Sequence, residues 1–307
     1  MPYESYPFLA YISQHADTIR PGFFFGMLVF IGLWEILAPR RALKVSKLLR
    51  WSNNLGLVFF NTFVLRLLFP AAAVGMASFA QQHGWGLLNY YSIHPLLAVA
   101  ISVIAMDFII YLQHVMVHAV PMLWRLHRVH HADLDYDVTT GARFHPIEII
   151  LSMLIKFATI IVLGPPVVAV VIFEVALNAM AMFNHGNIGL PPWLDKLLRY
   201  FVVTPDMHRV HHSIEDDETN SNFGFNLSCW DRLLGTYREQ PRAGQLNMDI
   251  GIKGFDTPGK TAWIHAMLMM PFTGKISGYV INRREWHNAE NQPEKQAEKK
   301  TPSQQEP

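Results

Sequence analysis

Apolar residues gather in five long stretches. Residues 23–37 form a run that just reaches spanning length. A second run, 55–80, carries Arg66 and Pro70 within it, and an arginine at that depth is costly unless it faces protein or water. A third run, 94–117, contains Asp107. Residues 147–163 and 167–183 are two further runs split by Gly164-Pro165-Pro166, a turn signal that makes them a helical hairpin. The pattern predicts an all-α integral membrane bundle of about three spans plus a hairpin, topped by a cytosolic cap. The chain divides into a lead-in at 1–22, first transmembrane helices at 23–100, a histidine-bearing segment at 101–240, a cytosolic or interfacial segment at 241–287 and a disordered tail at 288–307. Residues 263–281 are apolar but contain Pro271, Gly274, Lys275 and Gly278, so an interfacial segment is expected there, not a span.

Charge sets the orientation. Arg40, Arg41, Lys44, Lys47 and Arg50 follow the first run, whereas residues 81–93 contain no Lys or Arg and hold Trp85, Tyr90 and Tyr91. The positive-inside rule puts the first loop in the cytoplasm and the second outside. The first 20 residues lack a basic start with an apolar run, so no cleavable signal peptide is expected. The closing Gln-Gln-Glu-Pro is not an ER retrieval signal, which favours a bacterial inner membrane.

Composition agrees with a membrane protein: 51% of residues are hydrophobic and 16% charged. Net charge is +1, so nothing favours nucleic acid. The single cysteine, Cys229, excludes internal disulfides, a zinc ribbon and a built-in iron–sulfur cluster. No dinucleotide or P-loop motif is present.

The chemistry is concentrated in histidine. Leu126-His127-Arg128-Val129-His130-His131 and Met207-His208-Arg209-Val210-His211-His212 share one spelling, and His114 and His118 precede the first. On a helix, residues three and four apart share a side. HxxHH therefore aims three imidazoles at one point, and HxxxH aims two. Eight imidazoles exceed what one metal takes, so two metals are implied. His145 and His185 lie on the same side of the membrane and are expected to complete the shells as ninth and tenth ligands; the alternative is that each caps or hydrogen-bonds a helix end. Asp107 shares a face with Tyr111, His114 and His118, and is either a partner for Arg66 or a group orienting a histidine. Glu174 and Asn178 share a face with His185 and are further candidates for such outer support. The acidic runs after each HRVHH are expected to be solvated loops.

The order HxxxH, HxxHH, HxxHH resembles the sterol desaturase / fatty acid hydroxylase superfamily. Supporting phrases are Pro121-Met122-Leu123-Trp124-Arg125, Arg143-Phe144-His145-Pro146, Thr204-Pro205-Asp206-Met207, Asn222-Phe223-Gly224 and Trp230 through Tyr237. The resemblance covers roughly residues 100–240. It implies two non-haem iron ions as cofactors, O2 as co-substrate, and hydroxylation or desaturation of an apolar lipid drawn from the bilayer. It also implies an external electron donor, cytochrome b5-like or ferredoxin-like with a reductase, since the chain carries no flavin or haem motif. Zinc would bind the same ligands at least as tightly. The competing interpretation is a histidine-rich membrane metal-binding or transport protein without oxidase activity. Such a transporter would hold its ligands near the bilayer midplane.

Overall fold

The computed structural model describes residues 6–91, 93–274 and 281. The chain is helical, and among the described residues β-structure is limited to two isolated bridges, Val202 with Leu227 and Ser213 with Ile250. In chain order the first eleven helices are α1 (Pro7–Gln14), α2 (Ala16–Leu37), α3 (Lys47–Leu68), α4 (Ala72–Gln82), α5 (Leu87–Tyr90), α6 (Pro95–Ala119), α7 (Pro121–His131), α8 (Pro146–Leu163), α9 (Val167–Asn184), α10 (Pro192–Leu198) and α11 (Pro205–His211). Short helices α12 (Asp216–Thr219), α13 (Cys229–Leu233), α14 (Gly244–Asn247), α15 (Pro258–Thr261) and α16 (Ile264–Met269) follow. Among the described residues, five segments are long and apolar enough to span: α2, α3 with α4 and α5, α6, α8 and α9.

Two spans differ from the pattern-based expectation. The first helix of spanning length begins at Ala16, not at residue 23, and runs through Pro21. Its polar start is tolerated because Arg20 pairs with Glu174 of α9 at 2.8 Å. Lys156 of α8 reaches the same carboxylate at 3.0 Å, so one buried acid ties three helices together where water is scarce. The second run is broken in two. Pro70 offers no N–H and clashes with a continuing helix, so α3 stops at Leu68 and α4 starts at Ala72. The first two-thirds of α3 lies beside the cap, where Asn54 donates to Thr139 at 3.0 Å and Asn61 to the Phe144 carbonyl at 2.8 Å.

The hairpin turns as expected. Gly164 takes the left-handed conformation that ends α8 (φ 66°), and Pro166 leads into α9. Gly86 lies against it so closely that a Cβ there would stand 2.2 Å from the Gly164 nitrogen. The bundle core is built around small residues of α4: Ala73, Ala77 and Ala80 let it approach Met106, Ile110, Ile160, Val170 and Phe173.

At the other end, Trp124 and Val129 of α7 pack with Leu57, Ile252, Met267 and Met270. Arg125 donates to the Pro271 carbonyl at 3.0 Å, and Arg128 donates to the carbonyls of Met270 and Thr273. Helix α16 is six residues long, too short to span, and Trp263, Met269 and Phe272 around it are exposed. The tail expected to be disordered from residue 288 lies outside the described residues.

Candidate metal centre

Helix α6 runs past the bundle core and carries His114 and His118 one turn apart at its end. Helix α7 starts with Pro121 in its first turn and carries His127, His130 and His131. Helix α11 is launched by Thr204, whose hydroxyl accepts from the Met207 N–H at 3.4 Å and donates to Asp195 at 2.5 Å. His185 is the residue that closes α9.

These helices bring nine buried histidines into two groups. His114, His118, His127, His131 and His211 form one; His130, His185, His208 and His212 form the other. Within each group the ligand atoms lie within 4.8 Å of one another. The expectation that each HxxHH aims at one point is corrected. On a helix, positions i and i+4 diverge by about 40°, whereas adjacent residues diverge by about 100°. So His127 and His131 go to the group of five while His130 turns to the group of four. Helix α11 does the converse: His208 and His212 serve the group of four, and His211 crosses to the group of five. The two motifs thus exchange their middle residues.

The ring nitrogens are prepared for a cation. In five of the nine, Nδ1 faces an oxygen: His114 the Phe223 carbonyl (2.8 Å), His118 Asn220 Oδ1 (3.2 Å), His127 Glu148 Oε1 (2.6 Å), His185 the Ala181 carbonyl (2.7 Å) and His211 the Ser221 carbonyl (2.7 Å). Such partners fix the tautomer and leave Nε2 as the donor atom toward a metal. The Nε2 atoms of His114, His127 and His211 and both ring nitrogens of His208 are buried without a hydrogen-bond partner among the described residues. An unpaired buried polar atom costs about 1–3 kcal/mol. Several of them converging on two points fit bound metal, and the all-nitrogen donor sets suit iron, zinc or copper. Burial, reinforced by the other histidines, pulls His130, His131, His208, His211 and His212 well below the ordinary imidazole range. Burial takes His185 down to about 3. These six rings are therefore neutral at physiological pH, the form that ligates metal.

Aromatic rings shield the groups. Phe144 stacks on His130 at 4.5 Å, Tyr136 on His185 at 5.4 Å, and Trp124 lies 4.8 Å from His118. Behind Tyr136, Arg50 binds both Asp133 (2.8 Å) and Asp137. Burial would raise Asp133, but Arg50 and Arg143 beside it hold it well below the usual carboxylate range. Members of the first acidic run are thus buried ion-pair partners, not a solvated loop.

Four expected site residues lie elsewhere. His145 belongs to neither group. It is the N-cap of α8: its Nδ1 accepts from the Ile147 N–H (3.2 Å) and its Nε2 faces the Leu268 carbonyl (3.3 Å), so both nitrogens are engaged. Asp107 pairs with neither Arg66, which is exposed, nor a histidine; it accepts from Trp230 Nε1 (2.8 Å) and the Leu227 N–H (3.3 Å), pinning that loop to α6. Glu174 is taken up by Arg20 and Lys156. Asn178 is exposed and donates to the Glu174 carbonyl at 2.7 Å.

Sequence reasoning missed Glu148 and Asp231. Glu148 sits in the first turn of α8, which His145 caps, and so reaches His127. The local signal was His145-Pro146 followed by an acid, a helix-start pattern. Asp231 accepts from the N–H groups of Phe223 (2.7 Å) and Gly224 (2.8 Å), holding the carbonyl that receives His114. Burial pushes Asp231 up to about 6. Glu148→Gln is expected to cost about 10- to 100-fold in metal affinity, the range for losing an outer partner. Competition with a chelator measures it, and unchanged affinity would make the Glu148 contact incidental.

A fatty acid hydroxylase family model matches residues 99–236. The chain is 30% identical over 187 residues to an ornithine lipid hydroxylase of Rhizobium tropici, covering 61% of this chain and 54% of that protein. It is 30% identical over 142 residues to the alkylglycerol monooxygenase of Xenopus tropicalis, covering 45% of this chain and 30% of the relative. To the cholesterol 25-hydroxylase of Rattus norvegicus it is 24% identical over 149 residues, covering 48% and 49%. The matched stretches thus span about half or less of each relative's length. No solved structure matches the chain.

Proposed function

Residues 99–236 belong to the fatty acid hydroxylase family, and on that premise we propose that the chain is a membrane-bound oxidoreductase that uses O2 to hydroxylate a lipid. The observation that carries this reading is the pair of buried groups of imidazoles, five and four, with ring nitrogens that have no hydrogen-bond partner among the described residues. Iron, if held there, would supply reductive activation of O2. Binding falls to His114, His118, His127, His131 and His211 on one side and to His130, His185, His208 and His212 on the other. Glu148, Asn220 and the carbonyls of Ala181, Ser221 and Phe223 hold the rings in register. Phe144, Tyr136 and Trp124 lie against His130, His185 and His118 and shield them from water. The relatives named above are hydroxylases and monooxygenases, which favours insertion of oxygen over formation of a double bond. A lipid is the natural substrate, since the buried groups lie at the end of an apolar bundle of spanning helices.

The balance is one C–H bond, O2, two electrons and two protons giving C–OH and water. The electrons come from an external carrier, cytochrome b5-like or ferredoxin-like. The basic loop supports a cytoplasmic site: the Arg40 N–H donates to the Asn187 carbonyl at 2.8 Å, at the end of the bundle where the histidines lie. That end position also disfavours a transporter, whose ligands belong at the midplane. The test is iron-loaded protein with a lipid extract, 18O2 and a chemical reductant. One 18O entering a lipid per two electrons is expected. Reductant consumption with no labelled lipid from any membrane extract would overturn the reading.

A further inference from the structure

Six large apolar side chains outside the spanning helices stand on one face of the cap. Trp193 and Leu197 belong to α10, Tyr200 and Phe201 follow it, and Leu233 and Leu234 end α13; each is 51 to 72% exposed. The two segments form one surface. Val202 pairs with Leu227, the Ser228 N–H donates to the Phe201 carbonyl at 3.3 Å, and Arg232 donates to the Arg199 carbonyl at 3.1 Å. The Arg232 guanidinium lies over the rings of Tyr200 and Tyr237, at 5.3 and 3.9 Å.

The position of this surface is fixed by α6. Trp230 packs its ring 4.8 Å from Phe108 and donates to Asp107, inside a helix of spanning length. On that helix Ile104 and Leu112 are themselves exposed. The patch therefore continues the apolar belt of the bundle at its inner end. A contiguous patch of this size seldom faces water. Its composition fits a bilayer boundary: aromatic rings with polar edges, and exposed Lys196 and Arg232 at the rim to meet phosphates. The nearby acids do not cancel those cations, because Asp195 is paired with Arg199 at 2.7 Å and Asp231 is buried on backbone N–H groups.

We propose that this face of the cap is immersed in the inner phospholipid leaflet at the boundary between headgroups and acyl chains, as an in-plane anchor. Phe201 lies three residues before Thr204, where α11 begins. The anchor thus seats the second HxxHH directly at the lipid surface, and a lipid can approach the metal groups without leaving the bilayer. The proposal rests on the spanning helices and not on the chemistry assigned to the histidines.

Nitroxide labels test it in the full chain, reconstituted in vesicles of phosphatidylethanolamine and phosphatidylglycerol. In a Cys229→Ser background, labels are placed at Leu197→Cys, Phe201→Cys and Leu233→Cys, with Ala243→Cys, exposed on the cap, as the aqueous control. Collision with O2, which concentrates in lipid, is compared with collision with a water-soluble nickel chelate. At the three patch positions O2 is expected to dominate, and at residue 243 the chelate. Dominance of the chelate at the patch would overturn the proposal. So would poor access to both reagents, which would mean that protein, such as a second copy, covers the face.

Discussion

His185→Gln is expected to remove metal from the group of four and to abolish turnover, while His145→Gln keeps two metal ions per chain. Both residues lie outside the HxxHH motifs, and on spacing alone they are equivalent. Geometry separates them. The His185 Nε2 lies 3.1 Å from that of His130 and 3.2 Å from that of His212, and its Nδ1 is held by the Ala181 carbonyl. A group that has only four imidazoles cannot spare one. The loss of activity should exceed the roughly 100-fold that losing an outer partner brings. His145 spends both nitrogens on the start of α8. Its replacement should cost about 1 kcal/mol, as for other N-caps, read as a small drop in thermal midpoint. Metal analysis of the purified variants decides. Two metals retained in the His185 variant, or one lost in the His145 variant, would reverse the assignment.

Stripped of metal by a chelator, the chain should lose stability steeply as the pH falls below about 6.5, where unfolded histidine takes up protons. The sign follows from the depressed native values. His130, His131, His185, His208, His211 and His212 are all held below the ordinary imidazole range by burial. Above the unfolded value neither state is protonated, and the full stability is present. Below it the unfolded chain binds protons that the native chain refuses, down to about pH 3 for His185. One unit below, each histidine contributes about 1.4 kcal/mol to the loss, so these six together cost on the order of 8 kcal/mol, comparable to the whole stability of a typical domain. Bound metal keeps the rings deprotonated and should move the collapse to lower pH. Thermal melts at pH 7.5, 6.5 and 5.5, with and without metal, measure this. A metal-free midpoint that stays flat across the series would refute it.

The spans, the hairpin and eight of the grouped histidines were legible because apolar runs and histidine spacing are local properties. What spacing could not reveal was the division of labour. HxxHH reads as one cluster in one dimension, and only the packing of α7 against α11 decides which ring crosses the seam. The polar groups inside the spans misled for a related reason. Asp107 and Glu174 share helix faces with histidines, yet each meets a closer partner from a distant part of the chain: Trp230 in one case, Arg20 and Lys156 in the other. The start of α2 was hidden because Arg20 and Pro21 argue against a span until Glu174 is known to face them. Glu148 was invisible because its partner, His127, lies 21 residues away across a turn.

The exchange of middle residues between the two HRVHH motifs also bears on biosynthesis. Each group draws on α7 and on α11, so one cannot close until residue 211, and the other until residue 212, has been made and docked. A nascent chain that ends before α11 holds four of the five imidazoles of one group but only two of the four of the other. Contacts this distant in sequence form late. Completion of both groups is therefore tied to the arrival of the last histidine segment, after the membrane helices stand in place.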